Sequence, residues 1–142
     1  MRIYTGGTFD LFHWGHVELL RRIKDMAGKD GQVIVALNTD EFVEEYKGQK
    51  PVMSYKERLA VLEGCKYVDI VVKNIDGKDS RPTILACEVD FVVVGTDWCE
   101  KDYMKQMSFT REWLEENNIG FGYVPYTIGV STTDIKKRLL NQ

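Results

Sequence analysis

Cysteine, proline and histidine are scarce in this sequence: 142 residues include three cysteines, three prolines and two histidines. Three cysteines with no CxxC spacing exclude a complete disulfide framework and a zinc site built on cysteine pairs, so we expect reduced thiols. No apolar run approaches the roughly 20 residues that span a bilayer, and no basic segment followed by an apolar stretch opens the chain. We therefore expect a cytoplasmic protein with no membrane partner.

An excess of basic residues is also missing. The chain has 19 Lys and Arg against 22 Asp and Glu, which gives a net charge of −3. Nucleic-acid binders usually carry a basic face, so we expect no nucleic-acid partner, and any phosphate site must be local. The length and the 44% hydrophobic content suit one domain that spans residues 1–142.

Five short apolar runs alternate with helical patterns along the chain. The runs predict strands at Arg2 to Thr5, Val33 to Leu37, Val68 to Val72, Phe91 to Val94 and Phe121 to Val124. The patterns between and after them predict helices that begin near His16, at Ser54, at Lys101 (ending at Glu116) and at Ser131 (ending near Leu140). This alternation predicts an α/β fold, a single Rossmann-like, doubly wound domain with a five-stranded parallel sheet.

Both histidines lie in one segment, Gly6-Gly7-Thr8-Phe9-Asp10-Leu11-Phe12-His13-Trp14-Gly15-His16, between the first strand and the first helix. A helix N-terminus presents unpaired N–H groups and a positive dipole end to a phosphate, and His13 and His16 are spaced to face the same phosphate. Histidines that merely pack on a helix face are the alternative. A zinc site with Asp10 as the third ligand is a further alternative, but we expect no metal held by the protein.

The segment resembles the signature T/G-x-F-D-x-x-H-x-G-H of the HxGH nucleotidyltransferases. Its H-W-G-H form looks most like the cytidylyltransferase branch that acts on glycerol 3-phosphate. The resemblance implies that His13 and His16 are catalytic, that they hold the triphosphate, and that they stabilise the phosphorus centre during in-line displacement. Ligands of doubly wound folds collect beyond the carboxyl ends of the strands, where this segment lies.

The same resemblance implies that Gly7, Thr8 and Phe9 contact the nucleotide. A tight turn between strand and helix is the alternative role for Gly6 and Gly7, and it is compatible with nucleotide contact. Asp10 is expected to brace this turn rather than to catalyse.

A second segment, Lys47 to Leu59, resembles the family's K-x-x-K…ERL element and is expected to be a basic loop followed by a helix. The resemblance implies that Lys47 is catalytic and approaches the transferring phosphoryl group from a mobile loop, and that Lys47 and Lys50 bind the substrate. A solvated charge cluster is the alternative. Arg58 is expected near the active-site scaffold without a catalytic role.

A third segment, Gly129 to Lys136, resembles the family's R-T-E-G-I-S-T-T-x-I-K element. It should begin the last helix and place the N-terminus of that helix against a phosphate. Helix capping alone is the alternative. The family's Arg and Glu are replaced here by Tyr126 and Ile128, which removes a cation near the nucleotide, and a tyrosine can stack on a base but cannot neutralise phosphate. The nucleotide-binding residues predicted in this region are Tyr126, Thr127, Gly129, Ser131 and Thr132.

The remaining site residues are also implied by the resemblance. Gly95-Thr96-Asp97-Trp98 is similar to the family's G-x-D-W, which implies nucleotide contacts for Gly95 and Asp97; a plain turn at the strand end is the alternative. Lys66 stands where the family has an arginine, and Arg81 lies in a stretch that departs from the family. Both are predicted to bind the acceptor substrate.

The resemblance implies an enzyme that transfers CMP from CTP to a phosphorylated alcohol, sn-glycerol 3-phosphate before others, with Mg²⁺ accompanying the nucleotide. The product would be CDP-glycerol, a precursor for a cell-surface polysaccharide, and the enzyme would be a homodimer. An adenylyltransferase of the same fold that acts on another sugar phosphate or phosphoalcohol is the alternative. A nucleotide-binding protein without catalysis is a further one.

Overall fold

The sheet of this protein contains five parallel strands. The computed structural model describes residues 1–74, 79–95, 103–125, 127 and 129–142, apart from the side chain of Gln106. The strands are β1 (Arg2–Gly7), β2 (Gln32–Leu37), β3 (Ile70–Lys73), β4 (Phe91–Gly95) and β5 (Gly120–Val124), in the order β3-β2-β1-β4-β5. All neighbouring pairs are parallel. The five predicted strands and the parallel sheet are confirmed.

Seven helices are described, and they lie between and after the strands. They are α1 (Trp14–Ala27), α2 (Asp40–Lys47), α3 (Tyr55–Glu63), α4 (Arg81–Ala86), α5 (Tyr103–Gln106), α6 (Arg111–Glu116) and α7 (Thr132–Leu140). Among the described residues, none of these helices is both long and apolar enough to cross a membrane. Cys65 and Cys87 are free thiols, and Cys99 lies outside the described residues.

Both faces of the sheet are buried, as expected for a doubly wound fold. The inner strand β2 is buried from Val33 to Leu37, because its side chains alternate between two apolar clusters. One cluster contains Leu20, Ile23 and Leu62 of α1 and α3. The other contains residues of α2, α4 and α6: Phe42, Ile84 and Leu114. Because helices cover both faces of the sheet, a ligand can reach it at the edge where the strands have their carboxyl ends.

The helix predictions are confirmed at α3 and α7 and wrong at one place. Ser54 and Glu57 form the predicted capping box of α3, and Ser131 caps α7, which ends at Leu140 as predicted. The single helix predicted from Lys101 to Glu116 is two helices in the described part, α5 and α6, and residues 101 and 102 lie outside it. The chain breaks because Ser108 has a left-handed backbone (φ 63°) and a new cap begins two residues later.

Helix α2 was not predicted, and its presence changes the setting of Lys47. Thr39 caps it by accepting from the Phe42 N–H, and Gly48 ends it with a left-handed backbone (φ 80°). Lys47 is the last residue of α2, so its expected place on a mobile loop is wrong. A helix C-terminus is a favourable position for a cation, and α2 also fixes where that cation lies.

Candidate active site

The connection from β1 to α1 is a loop whose backbone is unusual. Phe9 (φ 52°) and Leu11 (φ 48°) both have left-handed backbones, which are costly for side chains with a Cβ. Gly6 and Gly7 lie within β1, so the alternative in which they form the turn is wrong. Gly7 instead permits close packing, since a Cβ there would lie 2.9 Å from the Phe9 ring. Other contacts must therefore hold the strained residues.

Asp10, which lies between the two left-handed residues, holds this loop from two sides. Its carboxylate accepts from the N–H groups of Val52 (2.7 Å), Met53 (2.9 Å) and Leu11 (3.0 Å). Its backbone carbonyl accepts from the Thr132 hydroxyl (3.0 Å). The bracing role expected for Asp10 is confirmed, because its carboxylate accepts hydrogen bonds from backbone N–H groups within the loop and in the segment before α3.

Arg58 lies beneath the same loop with 0% of its surface exposed. Its guanidinium donates to the carbonyls of Thr8 (2.9 Å), Asn38 (2.8 Å) and Met53 (3.1 Å), and it pairs with Asp40 at 2.6 Å. These bonds join the ends of β1 and β2 to the start of α3. Arg58 therefore lies at the scaffold of the site, as expected, and is a structural cation there.

The two histidines form the first turn of α1. Nδ1 of His13 accepts from the Gly15 N–H, and Nδ1 of His16 accepts from the His13 N–H, both at 3.1 Å. The ring centroids are 3.9 Å apart and the rings are stacked. Because each Nδ1 is an acceptor, a neutral ring carries its proton on Nε2. The pair thus presents two Nε2–H donors from one helix N-terminus.

Both imidazoles are held in their neutral forms. Burial lowers the pKa of His16 to about 3, neighbouring His13 lowers that pKa further, and Asp10 partly opposes them. The Phe9 and Phe12 rings flank His16 with centroids at 5.4 and 5.3 Å. Burial and, after it, the charge of Arg138 lower the pKa of His13. At neutral pH the pair can therefore offer hydrogen-bond donors to an anion, and a bound anion would raise both pKa values.

Removing the charge of Arg138 is expected to raise the pKa of His13. In Arg138→Gln the burial of His13 persists but the nearby positive charge does not, so the pKa of His13 moves up while staying below its ordinary value. A titration of the His13 ring protons by NMR measures this shift. Lys137→Gln removes an exposed charge from the adjacent position and serves as the control. An unchanged pKa in Arg138→Gln would show that Arg138 does not act on His13.

Gly15 allows the N-termini of α1 and α7 to meet. A Cβ at Gly15 would lie 2.8 Å from Cγ1 of Val130 and 2.9 Å from the His13 ring. Any larger residue would therefore displace either the segment before α7 or the imidazole. The glycine of H-x-G-H is required here for packing, and it brings two positive helix ends together.

A cavity of about 280 Å³ opens at this junction. Its walls come from β1, β4, the loop before α1, α2, the segment after α2, and the start of α7. Cationic side chains enter it from two elements and one loop: Lys47 of α2, Lys50 after it, and Lys136 of α7. The predicted site residues that line it are Gly7, Thr8, Phe9, His13, His16, Lys47, Lys50, Gly95, Thr127, Ser131 and Thr132.

Other predicted site residues lie elsewhere. Lys66 precedes β3, so it is at the amino end of a strand, opposite the cavity, with its ammonium 5.1 Å from the Tyr67 ring. Arg81 is exposed and pairs with Asp79 at 2.8 Å. Neither lines the cavity, and neither does Gly129, which is exposed with a left-handed backbone (φ 92°). Asp97 and Tyr126 lie outside the described residues.

The hydroxyls at the start of α7 are already engaged. Ser131 Oγ caps the helix by accepting from the Asp134 N–H (3.0 Å), and the Thr132 hydroxyl donates to the Asp10 carbonyl. The Thr132 proton therefore holds the histidine loop instead of being available to a ligand. Backbone N–H groups of the first turn of α7 remain the natural donors to an anion there.

Tyr46 and Lys136 are among the cavity-lining residues that were not predicted as site residues. Tyr46 precedes Lys47 in α2, the Lys47 ammonium lies 5.7 Å from its ring centroid, and its hydroxyl is 3.1 Å from the Thr8 hydroxyl oxygen. The sequence feature that could have predicted Tyr46 was the capping residue Thr39 followed by apolar residues at helical spacing. Lys136 lies one turn beyond Thr132, a spacing that was present in the sequence but not used.

The matching family model covers residues 4–138 and is described as cytidylyltransferase-like. The chain belongs to the cytidylyltransferase-like family. The resemblance inferred from H-W-G-H is thereby confirmed, and so is the prediction of a nucleotidyltransferase enzyme.

Curated relatives are similar to this protein over most of the chain. Glycerol-3-phosphate cytidylyltransferase of Bacillus subtilis is 36% identical over 97% of this chain and 96% of its own length. The enzyme of that name from Staphylococcus aureus is 37% identical over 97% of this chain and 94% of its own. FAD synthase of Korarchaeum cryptofilum is 31% identical over 78% of this chain and 74% of its own.

A solved structure supports the fold. The lipopolysaccharide core biosynthesis protein of Thermoplasma volcanium aligns with a TM-score of 0.66 and 22% identity, over 89% of this chain and 96% of its own. This likeness concerns the fold alone, and it confirms the Rossmann-like α/β architecture predicted from the alternating strands and helices.

Proposed function

We propose that this protein transfers CMP from CTP to sn-glycerol 3-phosphate, giving CDP-glycerol and pyrophosphate. The observation that carries the proposal is the His13–His16 pair, whose two Nε2–H donors line the cavity at the junction of two helix N-termini. The choice of substrates rests on the 36% and 37% identity to glycerol-3-phosphate cytidylyltransferases over nearly the whole chain.

In the proposed reaction a phosphate oxygen of the acceptor attacks the α-phosphorus of CTP. The bond from that phosphorus to the oxygen bridging to the β-phosphate breaks, and pyrophosphate leaves with the electron pair. The Nε2–H groups of His13 and His16 donate to phosphate oxygens as charge builds on them, and Lys47 adds a positive charge from the α2 side. Neutral donors that are already oriented need no reorganisation during the step, which is why this arrangement favours the transition state.

Mg²⁺ is part of the proposal as a companion of the nucleotide. The Asp10 carboxylate is occupied by three backbone N–H groups, and among the described residues no three His, Cys, Asp or Glu side chains are grouped to hold a metal. The triphosphate oxygens are therefore the proposed ligands, in keeping with the preference of Mg²⁺ for substrate phosphates and water. The ion would offset the charge of the triphosphate as it binds.

A homodimer and a cytoplasmic location, with CDP-glycerol as a precursor of a surface polysaccharide, complete the proposal. Sedimentation equilibrium of the purified protein tests the dimer. A mass equal to one chain at all concentrations would reject it.

An adenylyl transfer is the second candidate. It is supported by the 31% identity to an FAD synthase, whose product contains adenine. The replacement of the family's arginine by Tyr126 in the C-terminal element also supports a preference for a nucleotide other than CTP.

Pyrophosphate release with Mg²⁺ distinguishes these candidates. CTP, ATP, GTP and UTP are each paired with a panel of phosphorylated alcohols led by sn-glycerol 3-phosphate. We expect turnover with CTP and glycerol 3-phosphate. Turnover with ATP alone would favour the second candidate, and tight CTP binding without pyrophosphate release across the panel would favour a nucleotide-binding protein without catalysis.

A further inference from the structure

The hydroxyl of Thr8 lies where three elements meet at the wall of the cavity. Its oxygen is 3.2 Å from Nδ2 of Asn38 and 3.1 Å from the hydroxyl oxygen of Tyr46. Thr8 follows β1, Asn38 follows β2, and Tyr46 lies on α2. Because Thr8 and Tyr46 both line the cavity, this network of three polar side chains borders the space in which the substrates are proposed to bind.

The backbone around this network is held in place. The Asn38 N–H donates to the Gly7 carbonyl (2.9 Å), and the carbonyls of Thr8 and Asn38 both accept from the Arg58 guanidinium (2.9 and 2.8 Å). Asn38 is only 2% exposed, so its side-chain amide has little room to turn. The Thr8 oxygen is therefore held against a donor whose position is set by the ends of β1 and β2.

The chemistry of the three groups gives the hydrogen bonds a direction. The Asn38 amide nitrogen carries only protons, so the Thr8 oxygen accepts there. A phenol is more acidic than an aliphatic hydroxyl, which makes Tyr46 the better donor of the two hydroxyls. Burial raises the pKa of Tyr46, although hydrogen bonds with Thr8 and Asn38 partly oppose this effect, and the phenol keeps its proton at neutral pH.

The proton of the Thr8 hydroxyl is then available to a ligand. A hydroxyl oxygen has two lone pairs, and donation from Asn38 and from Tyr46 occupies both. Within the described part of the chain no other group bonds to this hydroxyl. Its proton is therefore the one part of the group that can serve the cavity.

We propose that Tyr46 is a positioning residue: its hydroxyl donates to Thr8 and so directs the Thr8 hydroxyl proton into the cavity, toward the transferring phosphate. The proposal deepens the proposed function and rests on it. Thr8 would add a third neutral donor to those of His13 and His16, on the side where the Lys47 ammonium lies 5.7 Å from the Tyr46 ring centroid. A hydroxyl that accepts two hydrogen bonds is polarised by them and donates more strongly, so the Tyr46 hydroxyl strengthens the Thr8 donor.

A double-mutant cycle in steady-state kinetics of the full chain tests the proposal. Tyr46→Phe removes the hydroxyl and keeps the ring beside Lys47, and we expect kcat to fall about fivefold with the KM values unchanged. In Thr8→Val, which has no hydroxyl to orient, the same Tyr46→Phe change is expected to cost nothing further. Tyr55→Phe removes the hydroxyl of another half-buried tyrosine, one that does not line the cavity, and is the control with the kcat of the wild type.

Equal losses from Tyr46→Phe in the Thr8 and Thr8→Val backgrounds would overturn the proposal, because Tyr46 would then act without Thr8. A kcat equal to that of the wild type together with a lower melting temperature in Tyr46→Phe would also overturn it, since the hydroxyl would then serve stability alone. If Thr8→Val does not fold, Thr8→Ala takes its place, because the smaller side chain admits a water molecule to the Asn38 amide.

The test is separate from that of the proposed function. The cycle uses whichever nucleotide and acceptor the wild type turns over, so it does not depend on CTP or on glycerol 3-phosphate. If no pair is turned over, the proposed function fails, and the cycle is run on the calorimetric dissociation constant for CTP. An effect of Tyr46→Phe that depends on the Thr8 hydroxyl would then support the positioning role, and an absent or independent effect would contradict it.

Discussion

Replacement of His16 with asparagine is expected to lower kcat/KM by about 100-fold or more with little change in the melting temperature. The amide oxygen of asparagine takes the place of Nδ1 and keeps accepting from the His13 N–H, a bond of 3.1 Å in the wild type. Nothing replaces the Nε2–H donor. Pyrophosphate-release kinetics and a thermal melt of the same preparation measure the two effects.

Glutamine at the same position is the matched control, because its amide lies where Nε2 was and can still donate. His16→Gln loses the acceptor for the His13 N–H, so it should be less stable by about 1 kcal/mol, as for a lost helix cap. It should nevertheless keep more activity than His16→Asn. If the asparagine variant were the more active of the two, the helix cap and not the Nε2–H donor would be the function of His16.

Replacement of Arg58 with methionine is expected to lower the free energy of unfolding by about 3 kcal/mol or more. The guanidinium is completely buried and donates to three backbone carbonyls and to Asp40. Methionine matches the length of its stem but leaves these acceptors without their donor. Urea denaturation measures the loss.

Arg81→Met is the control for removing an arginine as such. Arg81 pairs with Asp79 at the surface, where water replaces a lost partner, so the denaturation midpoint should stay close to that of the wild type. Equal midpoints for Arg58→Met and Arg81→Met would contradict the structural role of Arg58. Arg58→Lys should not restore stability, because an ammonium cannot match the planar fork that reaches Thr8, Asn38 and Asp40 together.

Local signals predicted most of the fold. The strands were found because each is a short apolar run, and α3 and α7 because Ser54 and Ser131 begin them with capping residues. The break near Ser108 was missed because a left-handed serine has no mark in the sequence. Helix α2 was missed although its cap at Thr39 was present.

The site was predictable where one segment carries it and unpredictable where distant segments meet. His13 and His16 were evident because both lie on one turn. The burial of Arg58 depends on carbonyls 20 and 50 residues away, and the engagement of the Thr132 hydroxyl depends on Asp10, 122 residues away. Lys66 was misplaced because its match to a family position was followed although the strand predicted from Val68 already placed it at the amino end, away from the ligand edge.

The bond from Thr132 to Asp10 has a consequence for the order in which the molecule is built. Synthesis proceeds from the amino terminus, so the histidine loop leaves the ribosome well before its second anchor, Thr132, which lies 122 residues after Asp10. Contacts of such long sequence separation form late in folding. A nascent chain that has already paired its first two strands would therefore hold an incomplete phosphate site until α7 docks, and catalytic competence would report on the docking of α7.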